Sequence, residues 1–362
     1  MPEVPKVIIK SISLQNFRNY AQKELALTAG TTLIVGPNAS GKTNLLEAIY
    51  LLATGKSFRA GLENEMIGYG SEISRIKGQV KSEEANDLEI VLTRGEVGGE
   101  KVARKKYLVN GVAKRALDFV GNLRAVYFRP EDLELVTDSP SLRRKYLDAV
   151  LIQVDREYLR CLMSYEKGLR QRNKLLERIR DEGAPRSQLV FWDQLLIKNG
   201  EYLTAKREEY IGFANNFQFS IFNFQFQLEY DKSIISPARL EEYANEEVAA
   251  AATLVGPHRD DIQFKILNLK SKIDSDLHAF GSRGEQRLAI LWLKLAELEF
   301  ITQAVGEKPV LLLDDIFSEL DEGHRHLVLE VIPHQQTIIT TTDIHQIDHS
   351  YQKKFVTIEL KP

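Results

Sequence analysis

The run Gly36-Pro-Asn-Ala-Ser-Gly-Lys-Thr43 sets two glycines around four residues and follows them with lysine and threonine. That is the pattern of a phosphate-binding loop. Glycine lets backbone N–H groups crowd around a polyphosphate, and a following helix adds partial positive charge at its first turn. In this chemistry Gly36, Pro37, Asn38, Ala39, Ser40 and Gly41 form the cradle. Lys42 neutralises the β- and γ-phosphates, and the Thr43 hydroxyl takes one Mg²⁺ position. A second run, Val310-Leu-Leu-Leu-Asp-Asp315, is apolar and ends in two carboxylates. A buried strand there delivers Asp314 rigidly to the metal and leaves Asp315 to orient an attacking water. Lys42, Asp314 and Asp315 are the catalytic candidates; Thr43 and Asp314 are the metal candidates.

A third element is Gly281-Ser282-Arg283-Gly284-Glu285-Gln286, just before an apolar helical stretch. A hydroxyl at Ser282 and open backbone at Gly284 suit a γ-phosphate at a helix mouth. Its place ahead of the Asp314 strand is that of an ABC-class signature motif. Lys42 and Ser282 stand 240 residues apart. A transporter's nucleotide-binding domain holds these motifs much closer together, so an inserted segment separates them here. In SMC-type chromosome proteins that insertion is far longer.

The elements that must position these motifs can be read from the pattern. Short β-rich runs fill the first 130 residues: Val7–Leu14, Thr31–Val35, Leu88–Leu92 and Tyr107–Val109. Asn110-Gly111 marks a hairpin turn, since both residues tolerate positive φ. Apolar spacing predicts a helix over Thr43–Ala53. Ser139-Pro140 reads as an N-cap and first helical residue. Apolar steps of three and four then predict one helix of about 40 residues, roughly 60 Å long. Gly183-Ala184-Pro185 breaks it, and a second helix returns through Leu189–Phe213, making an antiparallel hairpin. Phe217–Tyr230 reads as strand. Beyond it come a helix over Glu285–Phe300, a strand over Pro309–Leu313, a helix over Asp321–Val331 and a strand over Thr337–Thr342. The fold class is α/β, a P-loop ATPase head of ABC type with an inserted helical arm domain. Residues 1–130 and 230–362 are assigned to the head and 131–229 to the arm.

Composition narrows the function classes. The 362 residues are 43% hydrophobic and 27% charged, with net charge −3, which argues against a globally basic DNA binder. One cysteine, Cys161, excludes an internal disulfide framework and fits a reducing cytosol. No apolar run is long enough to span a bilayer, and the amino terminus lacks a secretory pattern, so a cytoplasmic, membrane-free protein is expected. His324 and His326 are two apart on an expected helix and point away from each other, so they make no metal pair.

Further blocks identify a resemblance. Asn16-Phe-Arg-Asn-Tyr20, Gly55-Lys-Ser-Phe-Arg59, Pro130-Glu-Asp-Leu133, Ser139–Asp148, Gly256-Pro-His-Arg-Asp260 and Asp314-Asp-Ile-Phe-Ser-Glu-Leu-Asp321 all resemble signatures of the bacterial RecF family, over nearly the whole chain. The resemblance implies a two-lobed ATPase head that binds ATP and Mg²⁺ and dimerises so that two nucleotides lie between facing subunits. Gly36–Thr43 of one chain would face Ser282 and Gly284 of the other, and Ser318–Asp321 would line the interface. Arg18 would contact the nucleotide. It also implies recognition of gapped or double-stranded DNA, work with RecO and RecR to load RecA, and a part in replication, repair and the SOS response. Asp315 replaces the usual glutamate, one methylene shorter, which suggests slow hydrolysis; the resemblance implies a weak, DNA-dependent ATPase. Neither a histidine switch nor a Q-loop glutamine is evident; a hydroxyl of Thr340-Thr-Thr342, or Asp343, is left to sense the γ-phosphate.

The arm carries its own signal. From Ser141 to Arg180 eleven basic residues stand against five acidic ones, a net +6 in a chain of net −3. Such a segregated helix can pair with phosphates with little sequence preference. An ATP-gated DNA clamp is the leading expectation; an SMC-like bridging ATPase and a transporter subunit are the alternatives.

Overall fold

A computed structural model describes residues 6–82, 85–217, 224–268, 274–318, 322–347 and 349–361. The chain forms two units, Met1–Asp132 with Glu297–Pro362, and Leu133–Ala296.

The first unit is built on a five-stranded parallel sheet. Its order is Ala125–Phe128, Val310–Asp314, Thr337–Thr341, Thr31–Val35 and Val356–Glu359. The second and third of these strands are buried throughout. They read as unbroken apolar or Thr-rich runs because both faces of such a sheet are covered. A six-stranded antiparallel sheet accompanies it, containing Ile8–Phe17, Tyr20–Ala26, Ile73–Lys81, Ala85–Thr93, Lys105–Val109 and Val112–Lys114. Here Ile73–Lys81 alternates strictly between buried and outward-facing residues, as a one-sided sheet requires. The turn expected at Asn110-Gly111 forms, with φ of 52° and 77°, and pairs Val109 with Val112.

The second unit holds the arm. The single long helix expected from Pro140 is two helices, Pro140–Leu151 and Arg156–Glu182. Apolar steps run unbroken across the joint, which hides it in the sequence. The first helix ends at Leu151, a turn follows through Val154, and the Asp155 carboxylate caps the second helix at Tyr158 N, 2.9 Å away. Ser139 takes the N-cap position, but its side chain makes no cap bond. Gly183 ends the long helix at φ 69°, and Val190–Asn216 returns against it.

Residues 230–296 lie in the same unit as the arm helices. The three-stranded sheet Phe224–Asp231, Asp261–Asn268 and Asp274–Asp276 is tied to them through polar bonds. Arg143 reaches Asp261 at 2.6 and 3.0 Å, and the Asn215 side chain bonds both backbone groups of Leu228. Deepest is Arg207, 2% exposed, bonded to Asp148 at 2.8 Å, Asp260 at 2.9 Å and the Pro257 carbonyl at 2.6 Å. Residues 218–223 of the expected Phe217–Tyr230 strand lie outside the described residues.

Candidate nucleotide-binding site

The loop Gly36–Gly41 links the central strand Thr31–Val35 to the helix Lys42–Thr54, as expected. Gly36 has no room for a side chain: a Cβ there would sit 2.7 Å from Ser40 Oγ and 2.9 Å from the Leu360 carbonyl. Gly41 adopts φ 98°, and its Cβ would meet the Tyr20 hydroxyl at 2.6 Å. Pro37, Asn38 and Ala39 are exposed, while Ser40 and Lys42 are buried. The first N–H groups of the helix have no acceptor within it, which is the condition for an anion site.

Lys42 folds over the loop and donates to the carbonyls of Gly36 at 2.7 Å and Pro37 at 3.0 Å. Burial lowers its pKa, and the nearby charges of Asp315 and Asp314 oppose that fall. The two motifs separated by more than 260 residues therefore act on one ammonium group.

Asp314 ends its strand 4% exposed. The strand Thr337–Thr341 lies between it and the loop strand, and this interposed strand supplies Thr340. Thr340 donates to Asp314 Oδ1 at 2.6 Å, and its oxygen accepts from Asp315 N at 3.2 Å. The Tyr127 hydroxyl donates to Asp314 Oδ2 at 2.7 Å. Burial, reinforced by the Asp314 charge, pushes the Tyr127 pKa well up, so it stays a donor. Asp315 is held at φ 50°, a backbone region that side chains rarely adopt. Asp343 caps the short turn at Ile344 by accepting from His345 N.

A metal fits this donor set. Among the described residues no group of three or more His, Cys, Asp or Glu could hold an ion alone. A hydroxyl at Thr43 and a carboxylate at Asp314 are hard oxygen donors, the sparse protein share that Mg²⁺ takes when phosphates and water complete its shell. Ser40 Oγ is buried without a partner, a polar atom left over in the cradle itself.

Arg18 lies in the same unit but turns to Glu47 in the loop helix. It bonds both carboxylate oxygens, at 2.6 and 2.8 Å, and also the Glu65 carbonyl at 2.9 Å. Glu47, fully buried, further accepts from Ser57 at 2.5 Å and Arg59 at 3.4 Å. Sequence reasoning missed Glu47; its one signal is a lone acid amid the apolar helix Lys42–Thr54. Ser282 and Gly284 belong to the second unit, both exposed. Ser282 and Glu285 form a reciprocal cap at the start of the helix Arg283–Val305, with bonds of 2.8 and 3.3 Å. Of the expected interface turn, residues 319–321 lie outside the described residues.

The family model for the RecF/RecN/SMC N terminal domain matches residues 8–360 of this chain. A DNA replication and repair protein RecF from Herpetosiphon aurantiacus is 38% identical, with 95% of each chain covered. The same-named protein of Thermomicrobium roseum is 39% identical over 93% of this chain and 94% of its own. The chain belongs to the RecF family. A solved RecF–ATP structure, described as a recombination mediator protein of the RecFOR pathway, is 33% identical with a TM-score of 0.85, covering 96% of this chain and 95% of its own. A Smc head domain from Pyrococcus furiosus, 17% identical at a TM-score of 0.50 with 93% of this chain and 90% of its own covered, shares the fold. The RecF-family chain thus has the P-loop ATPase fold of ABC type. Among the described residues no helix is long and apolar enough to cross a membrane.

Proposed function

We propose that this RecF-family protein is an ATP-gated DNA clamp of replication and recombinational repair. ATP with Mg²⁺ binds at Gly36–Thr43, Asp314 and Asp315, and closes two copies around DNA; slow hydrolysis reopens them. The observation that carries the reading is that one parallel sheet, with only the strand Thr337–Thr341 interposed, brings the charges of Asp314 and Asp315 to bear on the Lys42 ammonium at the end of the loop. The ATP held by the solved RecF relative supports the nucleotide assignment.

In this reading Lys42 leaves its two carbonyls for the β- and γ-phosphates, and the N–H groups at the start of its helix take the remaining oxygens. Thr43 and Asp314 hold Mg²⁺, which would supply charge neutralisation at the phosphates. Asp315 orients the attacking water. Ser282 and Gly284 of the partner copy close the cage, and the proposed clamp works with RecO and RecR to load RecA in the cytoplasm. Arg18 serves the nucleotide through Glu47 and the loop helix, since its guanidinium is already committed there.

The arm supports DNA contact. Arg143, Arg144 and Arg172 bond inward, and Arg160, Arg178 and Arg180 pair with neighbouring acids. Among the described residues Lys167, Arg170 and Lys174 are exposed cations without an ion-pair partner. Their spacing places them on one face of the helix Arg156–Glu182. The test measures ATP turnover with and without gapped duplex, together with DNA retention and sedimentation in ATP and Mg²⁺. DNA-stimulated turnover and an ATP-induced dimer are expected. Turnover indifferent to DNA, with a monomer throughout, overturns the clamp.

A further inference from the structure

Tyr127 sits on the strand Ala125–Phe128, where all four residues are buried and pair in parallel with Val310–Leu313. Its ring is fixed on two sides. Phe58 lies 4.5 Å away between centroids at 36°, and Tyr50 lies 5.6 Å away at 39°. The Arg129 guanidinium lies over the Phe58 ring, 4.6 Å from its centroid. A phenylalanine would satisfy all of this packing. The hydroxyl is the part that packing does not explain, because burying it without a partner is unfavourable. Its partner is Asp314 Oδ2, at 2.7 Å.

Asp314 thus receives one hydroxyl on each oxygen, Thr340 on Oδ1 and Tyr127 on Oδ2. Two donors from two flanking strands fix the rotation of the carboxylate plane, while each oxygen keeps further lone-pair capacity. The Gly55–Arg59 block also bears on this arrangement. Ser57 and Arg59 bond Glu47 in the loop helix, and Phe58 between them packs on Tyr127. One five-residue segment therefore touches both halves of the nucleotide site.

We propose that Tyr127 is a positioning residue for the metal-bound nucleotide: its hydroxyl orients Asp314 toward Mg²⁺, and Phe58 holds its ring in place. This rests on the reading that Asp314 serves the metal. Partners of this kind commonly change metal affinity by about 10- to 100-fold when removed.

The experiment titrates Mg²⁺ against equilibrium binding of ATP to the full-length protein, with a parallel measurement in EDTA. In Tyr127→Phe the Mg²⁺ concentration for half-maximal enhancement of ATP binding rises about tenfold or more. ATP binding in EDTA and the thermal midpoint stay close to wild type, which a general packing defect would not allow. Phe58→Leu keeps the hydroxyl but loosens the ring, and shifts the same midpoint in the same direction by a smaller factor. If Tyr127→Phe does not fold, this second variant decides. A Mg²⁺ midpoint within twofold of wild type in the folded variant overturns the proposal while leaving the metal site standing. A wild-type protein whose ATP binding ignores Mg²⁺ removes the metal reading itself, and this proposal with it.

Discussion

Arg18 and Glu47 form a two-point ion pair, 2.6 and 2.8 Å, between the turn after the first strand and the helix that follows the phosphate loop. Arg18 holds φ 53° and is 14% exposed at its side chain, while Glu47 is fully buried. Breaking a buried pair by removing one partner typically costs about 3–5 kcal/mol, because the other charge is stranded. Glu47→Ala is therefore expected to lose stability on that scale in urea denaturation and to weaken ATP binding with it. A variant as stable as wild type would show the pair to be dispensable.

Lys42→Met removes the cation that serves the phosphates. Truncating one side of such a charge pair costs about 2–5 kcal/mol, or roughly 30- to several-thousand-fold in affinity. Because Lys42 is buried at 8% exposure, folding stability should hold or rise slightly in the same variant. Calorimetric titration with ATP checks the first statement, thermal unfolding the second; unchanged ATP affinity would remove the loop assignment.

Ser282→Arg should leave ATP binding intact and abolish ATP-induced dimerisation, because in the clamp reading the hydroxyl serves the other copy's nucleotide. Sedimentation velocity with ATP and Mg²⁺ separates the outcomes. A dimer that survives the change refutes the facing arrangement.

Replacing Lys167, Arg170 and Lys174 together by alanine should weaken binding to duplex DNA of any sequence. Each cation that no longer neutralises a phosphate lowers the slope of log affinity against log salt by about 0.9. A salt titration should therefore show a slope shallower by about 2 to 3 units per protomer. An unchanged slope would place the DNA elsewhere.

His258 gives a pH prediction. Its Nδ1 lies 2.8 Å from the Tyr165 hydroxyl and its Nε2 lies 3.0 Å from the Thr253 carbonyl. Burial lowers its pKa from 6.5 to about 4, and the charges of Arg259, Arg144 and Arg172 push the same way. Between those values the unfolded chain takes up a proton that the folded chain does not. The contribution to stability is complete above pH 6.5 and is lost as pH falls toward 4, on the order of 3 kcal/mol in all. His258→Asn should flatten that limb in denaturation curves recorded from pH 7 to pH 4.

Much of the site was legible because its chemistry is local. The strand Thr31–Val35 and the Asn110-Gly111 turn were readable to the residue, since apolar runs and positive φ are properties of a few neighbours. The loop and the two carboxylates ending an apolar run were candidates on residue type and order in a few neighbouring positions. Glu47 was not legible: an acid one turn into a helix reads as a solvated charge until Arg18, Ser57 and Arg59 converge on it. Tyr127 was equally silent, because its partner lies 187 residues away. The arm's joint at Asp155 was hidden by Leu151, Val154 and Tyr158, which keep helical spacing straight through it. Pairings such as Arg207–Asp260 were likewise out of reach, since no short window of sequence contains both residues.

Arg207 has one more consequence. It knots together the short helix through Asp148, its own long helix, and the Gly256–Asp260 turn through Asp260 and the Pro257 carbonyl. The hairpin therefore has a stiff root in place of a loose hinge. Loss of that one guanidinium would strand Asp148 and Asp260 together and release three segments at once.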